Sequence, residues 1–447
     1  MLAYTPRKLK SSYYSTIDTK LDNENHMLRS LPYCSKGLLN LCELDLLFRY
    51  NHPHLISSQK FSIIDDIVPT VELPIANYTL WDIIKQRKTP SEQKLIYAYK
   101  IACCLTGLHK IDIVHGDIQA GNVIFLDNKP YLAGLHACQK NHDKQPDYVG
   151  CWDYWAPELL QSSEPLYTKA TDSWAFGIML LYLMGERNFI PPEHDMQLYS
   201  QHYEHFFHQD SRHQFLQYYL SNVQSSIRNI AVELLFSLLN PDINERMTIE
   251  QFCHAPYFKN YTTPKILEEN LITLNKELYP NNDLRRDGCK LILFYMKEYH
   301  DNEHPNVLLL ALHLYHRIGH LLIDIDSNEQ YIYSSVCAMI AMKYYNINYD
   351  HLLIYLQKFD IEIVFETLAF GELYLLESLN GKFYHNPIDD NIHTVKGLND
   401  VIYNYIFHTN SSKYWNLVTS EDFKDLCQLK DNTVIDYDDI KIKMILS

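Results

Sequence analysis

The stretch from Ile113 to Phe125 constrains the fold of this chain more than any other. An apolar pair leads into it, an apolar triplet leads out, and a polar loop with Asp117 and Asn122 lies between. This spacing suits phosphoryl transfer, because a carboxylate can accept the proton of an attacking hydroxyl while an amide oxygen holds a magnesium ion. The alternative is an ordinary strand–turn–strand in which the aspartate serves turn chemistry. The stretch alone leaves both interpretations open.

Four blocks in order resemble eukaryotic protein kinases. The opening stretch resembles the family's catalytic loop, H-R-D-L-x-x-x-N. Downstream, the chain has counterparts of G-T-x-x-Y-x-A-P-E, D-x-W-S-x-G and H-P-F, in Gly150–Glu158, Asp172–Gly177 and His254–Phe258. Arg246 stands where the family has an arginine that pairs with the Glu of A-P-E, here Glu158. The resemblance covers about residues 10–260 and implies an α+β bilobed protein-kinase-like fold.

The resemblance also implies site residues and cofactors. Asp117 would be the catalytic base and Asn122 a magnesium ligand, with ATP as the second cofactor. In the small lobe, Arg29 stands in the position of the lysine that reaches the nucleotide phosphates; the alternative is a surface arginine. Glu43 would be its ion-pair partner on a helix predicted over Leu38–Tyr50. Leu73 lies in a segment that resembles the hinge, which would meet the adenine ring.

Several parts of the family's machinery are missing from the sequence. No glycine precedes Gly37, so there is no Gly-rich loop to cover the phosphates. Gly134-Leu135-His136 replaces D-F-G, which removes the magnesium carboxylate. Gly116 replaces the arginine of H-R-D, and Gln119 replaces the lysine that steadies the transferring phosphoryl group. These losses argue against bound ATP and magnesium.

Composition narrows the classes of partner. The formal charge of −16 argues against a broad nucleic-acid footprint, which needs clustered cations. The start of the chain has no apolar core of a secretory signal, and no apolar run reaches membrane-spanning length. The ten cysteines form no CxxC pair. We therefore expect reduced thiols, a cytoplasmic or nuclear location, and neither nucleic acid nor membrane as a partner.

The second half of the chain predicts an all-α domain. Its helical segments resemble the cyclin box, in which Lys343 and Glu372 would face the kinase partner. An unrelated helical bundle is the alternative. The expected boundaries are a kinase-like domain at 1–260, a linker with one helix at 261–283, a cyclin-box-like domain at 284–390, and a helical tail or reduced second cyclin repeat at 391–447.

Two functions from different classes follow from the sequence. In the first, the chain is a pseudokinase or weakly active kinase with a cyclin-like module in cis, and it acts through protein–protein binding. The cyclin-like domain would then pack on Leu38–Tyr50. In the second, it is an active ATP-dependent Ser/Thr protein kinase with a protein substrate and Asp117 as catalytic base. The first is favoured because several groups that position and stabilise the phosphoryl group are missing together.

Overall fold

The structure is a computed structural model. It describes residues 19–21, 26–31, 40–64, 68–141, 150–160, 166–185, 209–261, 267–269, 288, 291–292, 295–296, 305–321, 325, 327–357 and 365–384. The chain divides into two compact units, residues 1–270 with 380–382, and residues 271–379 with 383–447. Most of the predicted linker at 261–283 and the whole of the predicted tail at 391–447 lie outside the described residues.

A four-stranded antiparallel sheet with the order β1-β2-β5-β4 forms the small lobe of the first unit. The strands of this lobe, including the short β3 outside that sheet, are β1 Thr19–Leu21, β2 His26–Ser30, β3 Tyr50–Asn51, β4 Phe61–Ile64 and β5 Val68–Pro74. Pairing places Arg29 opposite the buried Val71, and Met27 opposite Leu73. Leu73, which the sequence assigns to a hinge-like segment, thus lies in the central part of this sheet.

Helix α1, Leu41–Arg49, is the helix of the small lobe. Asn40 caps its start, with its side-chain oxygen accepting from the backbone N–H groups of Cys42 at 3.0 Å and Glu43 at 3.3 Å. The predicted helix over Leu38–Tyr50 is right in type but wrong at its end. Tyr50 is extended and belongs to β3, so the helix stops at Arg49.

The large lobe is mainly helical and is built around one apolar helix. Its helices are α2 Leu80–Gln86, α3 Ser91–Lys110, α4 Pro157–Leu160, α5 Lys169–Gly185, α6 Gln209–Tyr219, α7 Ser225–Leu238 and α8 Ile249–Cys253. Every residue of α5 from Thr171 to Met184 is buried, which is typical of a helix that is apolar on all sides. Helices α3 and α7 both contact α5.

Short strands frame the loop that the sequence singled out. They are β6 Tyr78–Thr79, β7 Ile113–Val114, β8 Val123–Leu126, β9 Lys129–Leu132, β10 Gln139–Lys140 and β11 Glu268–Glu269. β6, β8 and β9 form one antiparallel sheet, while β7 pairs with β10 and β11 pairs with β3. The polar loop therefore leaves the buried strand β7 and returns into β8, in which Val123 and Phe125 are buried, as the apolar flanks predict.

A buried ion pair joins two distant parts of the large lobe. Arg246 donates from Nη1 to Glu158 Oε1 at 2.6 Å and from Nη2 to Oε2 at 2.9 Å. The Arg246 side chain is fully buried, and it also donates to the carbonyls of Ala170 and Asn240 and lies over the Trp174 ring. The predicted pairing is confirmed, and with it the alignment of the large lobe.

The described part of the second unit is helical. Its helices are α9 Pro305–Arg317, α10 Ser327–Tyr344, α11 His351–Gln357 and α12 Phe365–Ser378. α9 and α12 both pack on α10, whose residues Ser334–Met342 are buried. The helical prediction is confirmed for these residues, while the resemblance to cyclins stays a prediction. Across the described ranges, no helix combines the length and apolarity needed to span a bilayer.

Lys343 and Glu372, the two residues singled out by the predicted resemblance to cyclins, contact each other inside this unit. Lys343 donates from Nζ to Glu372 Oε1 at 2.7 Å, and Glu372 is fully buried. Burial raises the pKa of the Glu372 carboxyl, and the ammonium of Lys343 opposes that rise. The pair is therefore part of the core of the helical unit.

We expect Arg246→Ala to lower the free energy of unfolding by about 3 kcal/mol, because it leaves Glu158 without its buried partner. The matched control is Lys110→Ala, which breaks the exposed pair between Lys110 and Glu250 at 3.0 Å. That change should cost less than about 1 kcal/mol. Urea unfolding of both variants measures the difference, and equal losses would contradict the structural role of the buried pair.

Candidate active site

The carboxylate of Asp172 fixes the backbone of the loop around Asp117. Asp172, in the first turn of α5, accepts the backbone N–H of His115 at 2.7 Å and that of Gly116 at 3.0 Å. The Nε2 atom of His109 lies 3.0 Å from the same carboxylate. Asp172 is 2% exposed, so these bonds form in a low-dielectric setting where they are strong. Asp172 therefore supports the loop that contains Asp117.

The imidazole of His115 joins the loop to the segment after β9. The backbone N–H of Asp117 donates to Nδ1 at 3.2 Å, so Nε2 carries the proton and donates to the carbonyl of Ala133 at 3.0 Å. Burial lowers the pKa of His115, outweighing the nearby carboxylates. His115 is therefore a neutral, structural imidazole that fixes the loop against its neighbour.

The carboxylate of Asp117 is surrounded by donors from the chain itself. Gln119 Nε2 and the backbone N–H of Cys151 donate to Oδ1, at 2.7 and 3.0 Å. Asn122 Nδ2 donates to Oδ2 at 2.7 Å and also to the Asp117 carbonyl at 2.7 Å. His136 Nε2 lies 3.5 Å from Oδ2. Both carboxylate oxygens are thus engaged, and an incoming hydroxyl would have to compete with these contacts.

The position of the family's magnesium carboxylate is filled by another side chain. Gly134 has a left-handed φ of 76°, and a Cβ built there would lie 2.5 Å from Asn122 Nδ2 and 2.6 Å from Asn122 Oδ1. Asn122 therefore occupies the space that an aspartate at position 134 would need. Within the described ranges, no group of three His, Cys, Asp or Glu residues could hold a metal.

These donors do not fit a magnesium ion. Magnesium prefers carboxylate and phosphate oxygens in octahedral geometry. Position 134 offers no side chain, and the Asn122 amide nitrogen spends both its hydrogens on Asp117. Asn122 Oδ1 is then the one predicted magnesium ligand that remains available, and a neutral amide oxygen binds this ion weakly.

Helix α1 is tied to the segment that replaces D-F-G. Asn40 Nδ2 donates to the carbonyl of His136 at 2.7 Å, while Asn40 Oδ1 caps α1. The same side chain thus connects the start of the helix to the short 3-10 turn Leu135–Ala137. The sequence reasoning missed Gln119 and His136 as neighbours of Asp117, and it missed Asn40 as the link between α1 and His136. An Asn directly before an apolar helix is an N-cap signal, and it could have identified Asn40.

The predicted site residues of the small lobe are only partly assembled by the structure. Glu43 lies in the first turn of α1 and is 1% exposed, and Leu73 lies in β5 and is 6% exposed. Arg29 lies in β2, and its side chain is outside the described residues. The ion pair of Arg29 with Glu43 and the contact of Leu73 with an adenine ring stay predictions.

Asp117 also borders a small cleft with a volume of about 10 Å³, roughly the room needed for one water molecule. The residues that line it include Tyr154, Trp155, Leu159, Tyr167 and Ala175. The hydroxyl of Tyr154 accepts the backbone N–H of Ala120 at 3.4 Å, which ties the cleft wall to the loop. A space of this size does not admit a side chain of another polypeptide.

We expect Gly134→Asp to leave magnesium binding unrestored and to lower the free energy of unfolding by about 2–3 kcal/mol. The new side chain would overlap Asn122 and would sit at a positive φ. Gly121→Ala is the matched control, because a Cβ there meets Gln119 Oε1 at an ordinary 3.4 Å. Thermal unfolding with and without magnesium measures both effects. A stable Gly134→Asp variant that binds magnesium would show that the space is available after all.

The comparisons with known proteins all lead to protein kinases. The chain is 24% identical over 289 residues to Mitogen-activated protein kinase 3 of Arabidopsis thaliana, covering 56% of this chain and 76% of that protein. It is 27% identical over 158 residues to Protein kinase C-like 1B of Caenorhabditis elegans, covering 34% of this chain and 21% of that protein.

A third relative is the Serine/threonine-protein kinase YPK2/YKR2 of Saccharomyces cerevisiae, 27% identical over 184 residues, or 39% of this chain and 25% of that protein. The chain therefore spans about a quarter or less of the second and third of these relatives. The family model for the protein kinase domain matches residues 35–258, half of the chain. With the catalytic loop, its Asp172 support and the Glu158–Arg246 pair in place, this chain belongs to the protein kinase family.

Proposed function

We propose that this protein is a pseudokinase, or at most a weakly active kinase, that works by binding another protein. One observation carries the proposal. The Asn122 side chain fills the space of the magnesium carboxylate at Gly134 and donates to Asp117, the residue that would act as base. A base is useful only when the nucleotide is held in line with the hydroxyl, and metal and cationic side chains do most of that holding.

The missing charges reinforce this proposal. Phosphoryl transfer is catalysed mainly by positive charge placed around the transferring group. Position 119 has a neutral amide, which donates to Asp117 instead of reaching toward a phosphate. Position 116 has glycine, whose backbone N–H is bonded to Asp172. In the described part of the loop, position 119 therefore donates a hydrogen bond to Asp117, and neither position 116 nor position 119 supplies a positive charge to a phosphoryl group.

A binding role is supported by what the large lobe keeps. The bonds of Asp172 to the loop and the buried Glu158–Arg246 pair hold this lobe in the family's arrangement independently of any nucleotide. The formal charge of −16 disfavours nucleic acid as a partner. We place the protein in the cytoplasm or nucleus on its cysteine content.

For the helical unit, we propose a cyclin-like module acting in cis. Its support is the resemblance around Lys343 and Glu372, and a linker would keep the module at high effective concentration. Packing of this module on Leu38–Tyr50 stays a prediction. An unrelated helical bundle would lack that docking, so crosslinking between the module and this segment discriminates the two.

The second candidate is an active Ser/Thr kinase, and one observation favours it. The loop keeps Asp117 and Asn122 within hydrogen-bond distance of each other on an intact Asp172 support. In this alternative, substrate and ATP would displace Gln119 and His136 from the carboxylate. Asp117 would then take the hydroxyl proton, a contribution of typically ~10²–10⁴-fold in rate.

We expect purified full-length protein to transfer little or no phosphate from ATP in the presence of magnesium, and Asp117→Asn to change that background by less than about twofold. Fluorescence titration with ATP and radiolabel transfer to Ser/Thr peptides measure the two quantities. Asp127→Asn is the control, since Asp127 lies in the exposed β8–β9 turn at a φ of 48°, which asparagine also tolerates. Robust transfer that Asp117→Asn abolishes and Asp127→Asn preserves would replace the pseudokinase proposal with the enzyme.

A further inference from the structure

A side-chain amide from far along the chain bonds to the edge of the small-lobe sheet. β4 is the last strand in the order β1-β2-β5-β4, so among the residues that the structure describes one of its sides has no strand partner in that sheet. Asn380 Oδ1 accepts the backbone N–H of Phe61 at 2.8 Å, and Asn380 Nδ2 donates to the carbonyl of Gln59 at 2.9 Å. The carboxamide thus bonds to this edge as the peptide group of an added strand would.

The residue after Asn380 is fitted to the end of helix α1. Gly381 has a left-handed φ of 72°, and a Cβ there would lie 2.7 Å from Cε2 of the Phe48 ring. Asn380 itself has a φ of 50°, a conformation that asparagine tolerates better than most residues. Asn380 and Gly381 therefore accommodate the left-handed backbone at this point of the chain. Asn380 also bonds to the strand edge, and Gly381 leaves room for the buried Phe48 ring.

A second stretch beyond the kinase-domain match holds the same end of α1. Glu268 and Glu269 of β11 pair with Asn51 and Tyr50 of β3, directly after the helix. Leu267 is 6% exposed, and a Cβ added to Gly107 of α3 would lie 2.9 Å from its Cγ. This stretch therefore links the end of α1 to the central helices of the large lobe.

We infer that the edge of β4 and the C-terminal end of α1 form a docking surface whose occupant is this chain's own Asn380–Lys382. These residues group with the first unit, although the family match ends at residue 258. The kinase-like fold is thus completed in cis by residues from outside the kinase domain. An exposed sheet edge invites pairing with other chains, and the Asn380 carboxamide covers it. The inference does not depend on whether the protein transfers phosphate.

Hydrogen exchange on full-length protein tests this docking surface. In Asn380→Ala, exchange in peptides covering 59–64 should rise about three- to tenfold, because Phe61 loses its acceptor and the strand edge is released. Peptides covering 225–238 in α7 should exchange as in the unmodified chain. The matched control is Asn346→Ala, an exposed asparagine with a φ of 55°, which should leave 59–64 unchanged.

Two results would overturn the inference. One is unchanged exchange at 59–64 in a folded Asn380→Ala protein, and the other is an equal rise in the 225–238 peptides, which would mean a global loss of stability. Gly381→Ala gives a second test if Asn380→Ala does not fold. The Cβ of the new alanine would lie too close to the Phe48 ring, so hydrogen exchange in peptides covering 41–51 should rise. Unchanged exchange in these peptides would also contradict the docking surface.

Discussion

The carboxylate of Asp172 is the constraint on which the arrangement of the site depends. It accepts two consecutive backbone N–H groups, those of His115 and Gly116, from a position buried at the start of α5. Two such bonds fix the direction in which the loop leaves β7, and hence where Asp117 points. Because α5 is buried on all sides, the support cannot shift without disturbing the core of the large lobe.

Around this support, the polar groups of the loop satisfy one another. The neutral His115 bonds to the Asp117 backbone and to Ala133, and the amides of Gln119 and Asn122 bond to the Asp117 carboxylate. A network in which buried groups are paired in this way is rigid, because breaking any one bond leaves an unsatisfied group. The hydrogen bonds that keep this loop in its conformation therefore also restrict the Asp117 carboxylate, which has little freedom to bind a substrate hydroxyl.

Sequence reasoning reached the parts of this structure that depend on short-range pattern or on a fixed motif. The apolar spacing before Tyr50 predicted a helix, and the positions of Glu158 and Arg246 in two motifs predicted their ion pair. It missed the contact of Asn40 with His136, because 96 residues separate the two and no sequence signal links one position to the other. It also identified the loss of a carboxylate at Gly134.

No sequence pattern could predict which side chain occupies the space next to Gly134. That depends on the rotamer of Asn122 and on the left-handed backbone of Gly134, both of which are set by tertiary packing. The roles of Arg29 and Leu73 depend likewise on side-chain placement around a nucleotide, which composition and spacing do not specify. Fold was therefore more accessible from sequence than the chemistry of the site.

The fit of Gly134 against Asn122 also bears on the history such a site can have. Once an aspartate has given way to glycine, the neighbouring amide can settle into the vacated volume and the backbone can adopt a conformation that side chains resist. A single substitution to aspartate at position 134 then meets a steric and conformational barrier. A carboxylate at position 134 would therefore need a second change at Asn122 to make room for it.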